Sequence, residues 1–503
     1  MKKKPRKKWT LIFLLSAKNN LFHEQLSVIN ELYSIGSSDD VDFVILFDAI
    51  EGDKFSDSFA APSIYHVTKG STFISDACFH QLKPSNKGLT DRKNLEKLLK
   101  VAIDHFPSEK YGFIYKGHGG AGTTDISRGA FNTKMVAVDP QITDDEIEEK
   151  FGDVESGWTF EGYCEYPVVS KNAVRRKPLL LIYSRGNSKS LLYAELAEAL
   201  DGVFKKQLDF ICMDCCWAQQ IENANTFVGL TNHFIASADE MPALGLGYTH
   251  LCKHFINRPA IKAEEVANLL VSIFFYNNYA DYDSDVPEFR EMGVSLTSVY
   301  LEDYENFLEV FNILCSHLTK GLIEKDNRIY FLFQNARKQC LDYTYKDTDS
   351  LQANEIDFPM FNIDLIWLLE NLLFYNTDQV LEEKIFNVLY QLQNNIISGY
   401  IGNNYKKSIL GDKAIGGNGI SICFPANKEH AEQSILNNKK MSFYKKTGWK
   451  KLLNEYYKYI PTKSKAMPLG LGTTRKGFKP KDTLEDAAPP KSEQRLVFKS
   501  FKH

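Results

Sequence analysis

The sequence predicts an α/β protein with a mostly parallel sheet between helices, followed by a mainly helical portion. Two observations support this prediction. In the first half, short apolar segments alternate with amphipathic ones, which is the pattern of strands and helices around a parallel sheet. From about Lys253 the apolar residues recur with helical spacing instead, as in Asp364–Tyr375 and Glu382–Tyr400.

The elements follow from local runs and their boundaries. Each predicted strand is an apolar run bounded by polar or turn residues. In order, the predicted strands are Trp9–Ser16, Val41–Asp48, Tyr111–Lys116, Pro178–Tyr183, Leu208–Met213, Phe234–Ser237 and Gly419–Pro425. The predicted helices between them are His23–Tyr33, Leu95–His105, Ser190–Leu200 and Ala218–Asn225. Thr90 and Asp91 are expected to cap the second helix, because their side-chain oxygens can accept from its first amides.

Composition and periodicity divide the chain into four stretches. Residues 1–8 are a basic tail, 9–250 the α/β core, 251–460 the mainly helical portion and 461–503 a tail. The tail is rich in Lys, Gly and Pro, so we expect it to be disordered. Within the core, residues 121–177 lack periodicity and are too long for an ordinary connection, which predicts a functional or mobile loop.

Charge and cysteine usage exclude several classes of protein. Hydrophobic residues make up 44% of the chain and charged residues 25%, as in globular proteins. The formal net charge of −4 argues against a general nucleic-acid binder, which needs an excess of Lys and Arg. The 9 cysteines have no regular spacing, so we expect reduced thiols rather than a disulfide scaffold.

The basic N-terminus precedes the apolar run Trp9–Ala17, and this pattern is typical of either a secretory signal or a buried first strand. The run is short for a signal and suits a buried parallel strand, so we favour the strand. The expected location is therefore cytoplasmic or exported without a cleaved signal, with secretion as the alternative. No later segment is apolar enough to predict a membrane span.

Three cysteines, Cys212, Cys215 and Cys216, cluster where the strand Leu208–Met213 meets the next predicted helix. A zinc site would need a second pair of ligands, which the sequence lacks. Cys212 lies within the strand and is expected to be a buried core thiol. Cys216 is predicted to lie in the first turn of the helix, where amide N–H groups would stabilise a thiolate.

A histidine in a glycine-rich turn follows the strand Tyr111–Lys116. The carboxyl ends of parallel strands meet at one edge of a sheet, where ligands bind. His118 is therefore a candidate base for a nucleophilic Cys216. The amides of Gly119 and Cys216 are candidates for an oxyanion hole. The location of both side chains just after strands favours a catalytic dyad over two unrelated residues.

Asp214 lies two residues before Cys216, and the residues alone leave two interpretations open. Asp is a favoured N-cap, so it could simply begin the predicted helix. It could instead form the charged floor of a pocket that selects a basic side chain in a substrate.

These segments resemble the clostripain family of cysteine peptidases, which are relatives of caspases, gingipains and legumains. KKWTLIFLLSAKNNL is similar to the family's first strand, FPSEKYGFIYKGHGG to its histidine motif and LDFICMDCCWAQQIENA to its cysteine motif. FIASADEMPALGLGY resembles the loop that completes the substrate pocket, and GISICFP and TGWKKLLNEYY resemble the C-terminal part. The resemblance covers about Trp9 to Tyr457 and implies a caspase-like α/β/α sandwich with endopeptidase activity.

The resemblance also implies roles for particular residues. His118 takes the place of the catalytic histidine, and Cys216, rather than Cys215, takes that of the nucleophile. Glu222 matches the acid in the helix after the cysteine motif.

The implied substrates are proteins or peptides with Arg or Lys before the scissile bond. Asp214 would accept that basic side chain, with Asp239 and Glu240 as further acidic candidates. The chemistry requires no cofactor, and Ca²⁺ is a candidate only because some relatives depend on it.

Relatives often mature by self-cleavage, and the loop 121–177, which carries several Lys and Arg residues, lies between the histidine and cysteine motifs. A flexible loop tethered beside a trypsin-like site has a high effective concentration there. Lys134 is the first candidate for a cleavage site, and Arg175 and Arg176 are the next. The plain alternative is a solvated, charge-rich excursion without a role in maturation.

The sequence departs from the family pattern at three places. Lys116-Gly117 precedes the histidine where relatives usually carry an aromatic residue and an Asp or Asn. Cys215 replaces a small Ala, and Trp217 replaces Leu. Two alternatives to an active peptidase follow from these changes: an inactive relative that binds basic peptides, and a thiol redox switch at Cys215 and Cys216.

Overall fold

The computed structural model describes residues 6–17, 21–49, 61–71, 73, 78–83, 88–117, 119, 191–239, 241–242, 245–279, 295–343, 362–402, 405–408, 411–425, 427–436, 438 and 441–459. The predictions for the strand Pro178–Tyr183, the loop 121–177 and the tail 461–503 lie outside these residues.

The strands, numbered in chain order, are β1 (Lys7–Ala17), β2 (Val41–Ala49), β3 (Ser63–His66), β4 (His80–Gln81), β5 (Ser108–Lys116), β6 (Phe210–Asp214), β7 (His233–Ala236), β8 (Ser295–Tyr300), β9 (Asn362–Asp364), β10 (Ile397–Gly402), β11 (Tyr405–Ser408), β12 (Gly411–Gly416) and β13 (Ser421–Cys423).

The α-helices are α1 (Phe22–Ile35), α2 (Arg92–His105), α3 (Tyr193–Val203), α4 (Ile221–Thr226), α5 (Tyr248–Asn257), α6 (Ala263–Tyr279), α7 (Tyr304–Ile323), α8 (Asn327–Lys338), α9 (Leu365–Tyr375), α10 (Gln379–Gln391), α11 (Lys428–Ala431), α12 (Ser442–Lys446) and α13 (Trp449–Lys458). A 3₁₀ turn spans Gly88–Thr90, and π-helical turns span Leu392–Ile396 and Glu432–Leu436.

The chain divides into two compact units, of which the first comprises residues 1–118, 131–191 and 248–259. Its strands lie in the order β4-β3-β2-β1-β5. The central strand β1 pairs in parallel with β2 and β5, whereas β3 and β4 add antiparallel pairs at the edge. β1 is buried from Trp9 onward, as expected for a parallel strand covered on both faces. Helix α5 packs on it through an edge-to-face contact of Trp9 with Phe255.

The second unit comprises residues 119–130, 192–247 and 260–503. Its main strands lie in the order β6-β7-β8-β10. β6 and β7 are parallel, with Met213 opposite Ala236, and β8 and β10 continue the sheet in antiparallel pairs. Parallel pairing brings the residues that follow β6 and those that follow β7 to the same edge. The candidate site lies at this edge.

Most predicted elements agree with the structure to within a few residues, and the predicted strand at the N-terminus is β1. Asp91 caps α2 as expected, since its carboxylate accepts from the amides of Lys93 and Asn94 at 3.0 and 3.2 Å. The predicted helix Glu382–Tyr400 is wrong at its end. The helical backbone stops at Ile396, because the next residues pair with β8 as strand β10. The mainly helical C-terminal portion therefore also supplies strands.

Candidate active site

The site begins with a tight turn after β6 that separates two neighbouring thiols. β6 ends at Asp214, and the next residues leave the sheet. Cys215 is 1% exposed, whereas the side chain of Cys216 is partly exposed. Trp217 has φ +52°, in the left-handed region that side chains other than glycine rarely adopt. The turn therefore presents Cys216 toward solvent and Cys215 toward the core.

The helix predicted to start at Ala218 begins only at Ile221, and its N-cap position is Gln220. The prediction that Cys216 lies in the first helical turn is thereby wrong. Of the two interpretations left open for Asp214, the helix cap is excluded, because the N-cap is Gln220. The reason is a long-range pairing that keeps the intervening chain extended. The Gln219 amide donates to the Ser237 carbonyl at 2.7 Å. The Gln219 carbonyl accepts from the amide and the hydroxyl of Ser421, both at 3.1 Å.

The thiol of Cys216 receives a hydrogen bond from the loop that follows β7. The Met241 amide donates to Cys216 Sγ at 3.2 Å, and the Trp217 amide donates to the Asp239 carbonyl at 2.9 Å. An N–H group directed at sulfur favours the negatively charged form of the thiol. The Met241 amide thus takes the place of the helix-terminal amides that the sequence predicts beside Cys216.

Gly119 is packed directly against this turn. A Cβ atom built on Gly119 would overlap the carbonyl oxygen of Cys216 and would lie 2.9 Å from Cys215 Sγ. Only glycine fits here without a shift of the cysteine turn. Of the predicted oxyanion-hole residues, the structure therefore brings Gly119 and Cys216 into contact.

Two buried acids flank the turn. Asp214 ends β6 and is 2% exposed, whereas Asp239 follows β7 and is fully buried. The Ser237 hydroxyl fixes the loop at Asp239, because it accepts from the Asp239 amide at 3.1 Å and donates to the Asp239 carbonyl at 3.0 Å. Carboxylates taken out of water are costly unless a cation or strong donors compensate them. Their location at one sheet edge makes that edge acidic.

Glu222 has a different role from these acids. It is fully buried in α4, and its carboxylate accepts from the Cys423 amide at 2.9 Å and from the Tyr444 hydroxyl at 3.3 Å. Burial raises the pKa of Glu222 to about 7, although both hydrogen bonds act in the opposite direction. Glu222 therefore connects α4 to β13 and α12 inside the second unit.

The other thiols of the cluster are buried. Cys212 is fully buried within β6, which confirms the prediction of a core thiol, and burial raises its pKa well above the ordinary value. Cys215 Sγ lies 4.0 Å from the hydroxyl oxygen of Tyr193. In the described part of the chain, no cysteine is in a disulfide bond.

Several predicted site residues lie outside the described residues: His118, Glu240, Lys134, Arg175 and Arg176. The structure brings three groups to the turn that the sequence does not predict. They are the Met241 amide, the backbone of Ser421 and the carbonyl of Tyr343, which accepts from the Trp217 indole at 3.2 Å. All three act through main-chain atoms at long sequence separation, so no residue type signals them.

Within the described ranges, no group of three or more His, Cys, Asp or Glu side chains is arranged to hold a metal ion. Among the helices that the structure describes, none combines the length and hydrophobicity needed to cross a membrane.

A sequence model of the clostripain family matches residues 171–456. The chain belongs to the clostripain family. This match confirms the resemblance seen in the motifs. Members of the family are cysteine proteases. Among curated protein sequences, none is significantly similar to this clostripain-family chain.

Solved structures show the same fold. One is an inactive protease zymogen from Parabacteroides distasonis, with TM-score 0.53 and 15% identity over 88% of this chain and 99% of that one. Another is a secreted cysteine protease from Bacteroides thetaiotaomicron bound to an irreversible peptide inhibitor, with TM-score 0.51 and 14% identity over 88% and 99% of the two chains. This clostripain-family chain thus has the predicted caspase-like α/β fold.

Proposed function

We propose that this clostripain-family protein is a cysteine endopeptidase that cleaves after Arg or Lys, with Cys216 as nucleophile and His118 as acid and base. One observation carries the proposal. The sulfur of the partly exposed Cys216 accepts a hydrogen bond from the Met241 amide, and Gly119 packs against the Cys216 carbonyl. Gly119 is the residue after His118 in the sequence, and the family motif contains both.

The chemistry follows from these roles. The Cys216 thiolate attacks the scissile carbonyl and forms an acyl enzyme, while His118 protonates the leaving amine. His118 then takes a proton from the water that releases the acyl group. The amides of Gly119 and Cys216 would donate to the oxyanion, and one such donor is typically worth about 10²–10³ in kcat.

The acidic sheet edge supports the preference for basic side chains. Asp214 and Asp239 come from neighbouring parallel strands and are both buried. An Arg or Lys side chain entering between the strand ends would form charge-assisted hydrogen bonds with these carboxylates in a partly dry pocket. Glu240, the next residue after Asp239, is proposed to add to the same pocket.

We also propose that the protein matures by self-cleavage in the loop 121–177, at Lys134 or at Arg175 and Arg176. The loop carries these basic residues and is tethered between the two motifs, so one of them would occupy an Arg- or Lys-accepting pocket until cut. The likeness to a structure described as an inactive zymogen is consistent with this step, although that description belongs to the other protein.

The decisive experiment is turnover of fluorogenic peptides ending in Arg, Lys, Asp, Leu or Phe, with a reductant present, by wild type and Cys216→Ala. We expect hydrolysis of the Arg and Lys peptides by wild type alone. An inactive relative would instead bind the basic peptides without turnover, which fluorescence anisotropy of the uncleaved peptides would reveal.

A redox switch gains no support, because the sulfurs of Cys215 and Cys216 lie near different groups, the Tyr193 hydroxyl and the Met241 amide. Addition and chelation of Ca²⁺ in the same assay tests whether the ion matters.

A further inference from the structure

The residue after the candidate nucleophile has a backbone conformation that needs an explanation. Among the described residues, only Trp217 and Lys325 combine a side chain larger than glycine's with a positive φ. Lys325 follows the end of helix α7, where left-handed residues are common. Trp217 is buried and lies beside the reactive thiol, and strained residues of this kind persist only when their surroundings hold them in place.

Two hydrogen bonds hold Trp217. Its amide donates to the Asp239 carbonyl at 2.9 Å, and its indole Nε1–H donates to the Tyr343 carbonyl at 3.2 Å. The first bond fixes the backbone to the loop after β7, which also supplies the Met241 amide to Cys216 Sγ. The second fixes the ring at a different part of the second unit. A side chain without an N–H donor, such as the Leu that the family pattern carries here, could not make the second bond.

The acceptor of the indole bond is itself rigidly held. The Tyr343 amide donates to the Asn362 carbonyl at 2.8 Å, and its hydroxyl donates to Asp364 at 2.6 Å. The same hydroxyl accepts from the Gly419 amide at 2.9 Å. Asp364 is fully buried, and its carboxylate accepts further bonds from the Trp367 and Asn418 amides. The Tyr343 carbonyl therefore has little freedom to follow a displaced partner.

We infer that Trp217 is a positioning residue for Cys216, an inference that rests on the proposed function. The indole bond to Tyr343 holds the left-handed turn, and the turn holds the Cys216 sulfur at the Met241 amide. Without the indole donor, the turn relaxes toward a less strained backbone and the sulfur moves away from that amide. The substitutions remove the indole bond and leave the Trp217 amide free to keep its bond to the Asp239 carbonyl, so substrate binding at the proposed pocket of Asp214 and Asp239 should change little.

The test compares Trp217→Phe with Trp449→Phe. Trp449 is a matched control, because it is also buried in the second unit and its indole also donates to a backbone carbonyl, that of Cys423 at 3.0 Å. Since Trp217→Phe also leaves a small void, a second variant carries β-(3-benzothienyl)alanine at position 217. That residue keeps the ring volume and removes only the N–H donor.

Two readouts are measured on each variant: kcat and KM on a basic peptide, and the rate of Cys216 alkylation by iodoacetamide as a function of pH. Both position-217 variants should lose about tenfold in kcat with KM within about twofold, the size expected for one buried hydrogen bond. Their alkylation profiles should move to higher pH. Trp449→Phe should lower the melting temperature and leave both readouts unchanged.

Wild-type kcat and an unshifted alkylation profile in the benzothienyl variant would overturn the inference. So would an equal loss in Trp449→Phe, which would show that any core damage has this effect. The alkylation readout does not require protease activity. If the wild type hydrolyses no peptide yet the position-217 variants still shift the alkylation profile, the proposed function fails and the positioning role stands.

Discussion

Gly119 lies so close to Cys216 that a side chain at position 119 would overlap the Cys216 carbonyl oxygen. Because this oxygen belongs to the backbone, it cannot rotate away, and Gly119→Ala must displace the cysteine turn. We expect Gly119→Ala to lower kcat/KM by at least about tenfold, since misplacing a nucleophile or an oxyanion donor has effects of this order or larger. Steady-state kinetics on an Arg peptide measures this loss.

Gly229→Ala is the control for Gly119→Ala. A Cβ at Gly229 meets nothing within 4 Å, although its φ of +85° disfavours a side chain. This control should lose some thermal stability and keep its activity. Adding Cys215→Ala should not rescue Gly119→Ala, because the nearest obstruction is the Cys216 carbonyl and not the Cys215 sulfur. Full activity of Gly119→Ala would contradict the geometry of the turn.

The two adjacent thiols should behave differently. Cys216→Ala should abolish hydrolysis, whereas Cys215→Ala should retain most of it, because Cys215 is 1% exposed and faces the core. Limiting iodoacetamide followed by peptide mass spectrometry should find Cys216 labelled first, since reactivity follows thiolate character and access. If Cys215→Ala lost activity while Cys216→Ala kept it, the nucleophile would be Cys215 and not Cys216.

Specificity should depend on the two buried acids. Asp214→Asn and Asp239→Asn should each reduce kcat/KM for Arg and Lys peptides by roughly 10- to 100-fold, the value of a charge-assisted hydrogen bond. Turnover of uncharged peptides should not fall in parallel. Asp201→Asn, at an exposed position on α3, is the control and should resemble wild type. An Asp214→Asn enzyme with an undiminished Arg and Lys preference would remove Asp214 from the pocket.

Stability should fall with rising pH because of Glu222. Its pKa is about 7 in the folded chain, because of burial, against 4.5 for an ordinary carboxyl. The folded state thus binds this proton more tightly than the unfolded chain does. The stabilisation is fully present below about pH 4.5 and is lost as the pH rises to about 7, which amounts to roughly 3 kcal/mol.

Glu222→Gln cannot ionise, so its free energy of unfolding should lack this loss. Urea unfolding at pH 4.5, 6 and 8 measures the difference between variant and wild type at each pH. Glu309→Gln, at an exposed position on α7, should follow the wild-type curve. A constant difference between Glu222→Gln and wild type across this range would show that Glu222 ionises alike in the folded and unfolded states.

Maturation should be visible on a denaturing gel. If the loop 121–177 is cut by the protein itself, wild type should appear as two fragments that remain associated under native conditions. Cys216→Ala should stay intact at 57.4 kDa, because it lacks the nucleophile. Lys134→Ala should slow the cut, or shift it to Arg175 and Arg176. An active wild type that remains one uncut chain would exclude self-cleavage as the activating step.

The parts of the fold that the sequence predicts well depend on local patterns. β1 is a continuous apolar run, and the cap at Asp91 needs only the amides that follow it within a turn. The buried thiol of Cys212 follows from its place inside an apolar strand. In each case the side chains and their nearest neighbours determine the outcome, so a sequence pattern suffices.

The turn at the nucleophile could not be predicted in this way. Residues 218–225 have helical character, but Ser237 and Ser421 pair with Gln219 and delay the helix until Ile221. The prediction for the end of the helix Glu382–Tyr400 is wrong for the same reason, because the last residues of that segment pair with β8 as a strand. Long-range backbone pairing leaves no signature in the residues that receive it.

The pairing of Gln219 with Ser421 spans 202 residues of sequence. A ribosome makes Cys216 early and Ser421 late, so a growing polypeptide holds the reactive thiol long before it holds the segment that shapes its turn. A chain stalled before Ser421 should therefore label with iodoacetamide no faster at Cys216 than at an ordinary exposed cysteine. The order of translation would thus keep an unfinished protease from cutting itself or its neighbours while it is still being synthesised.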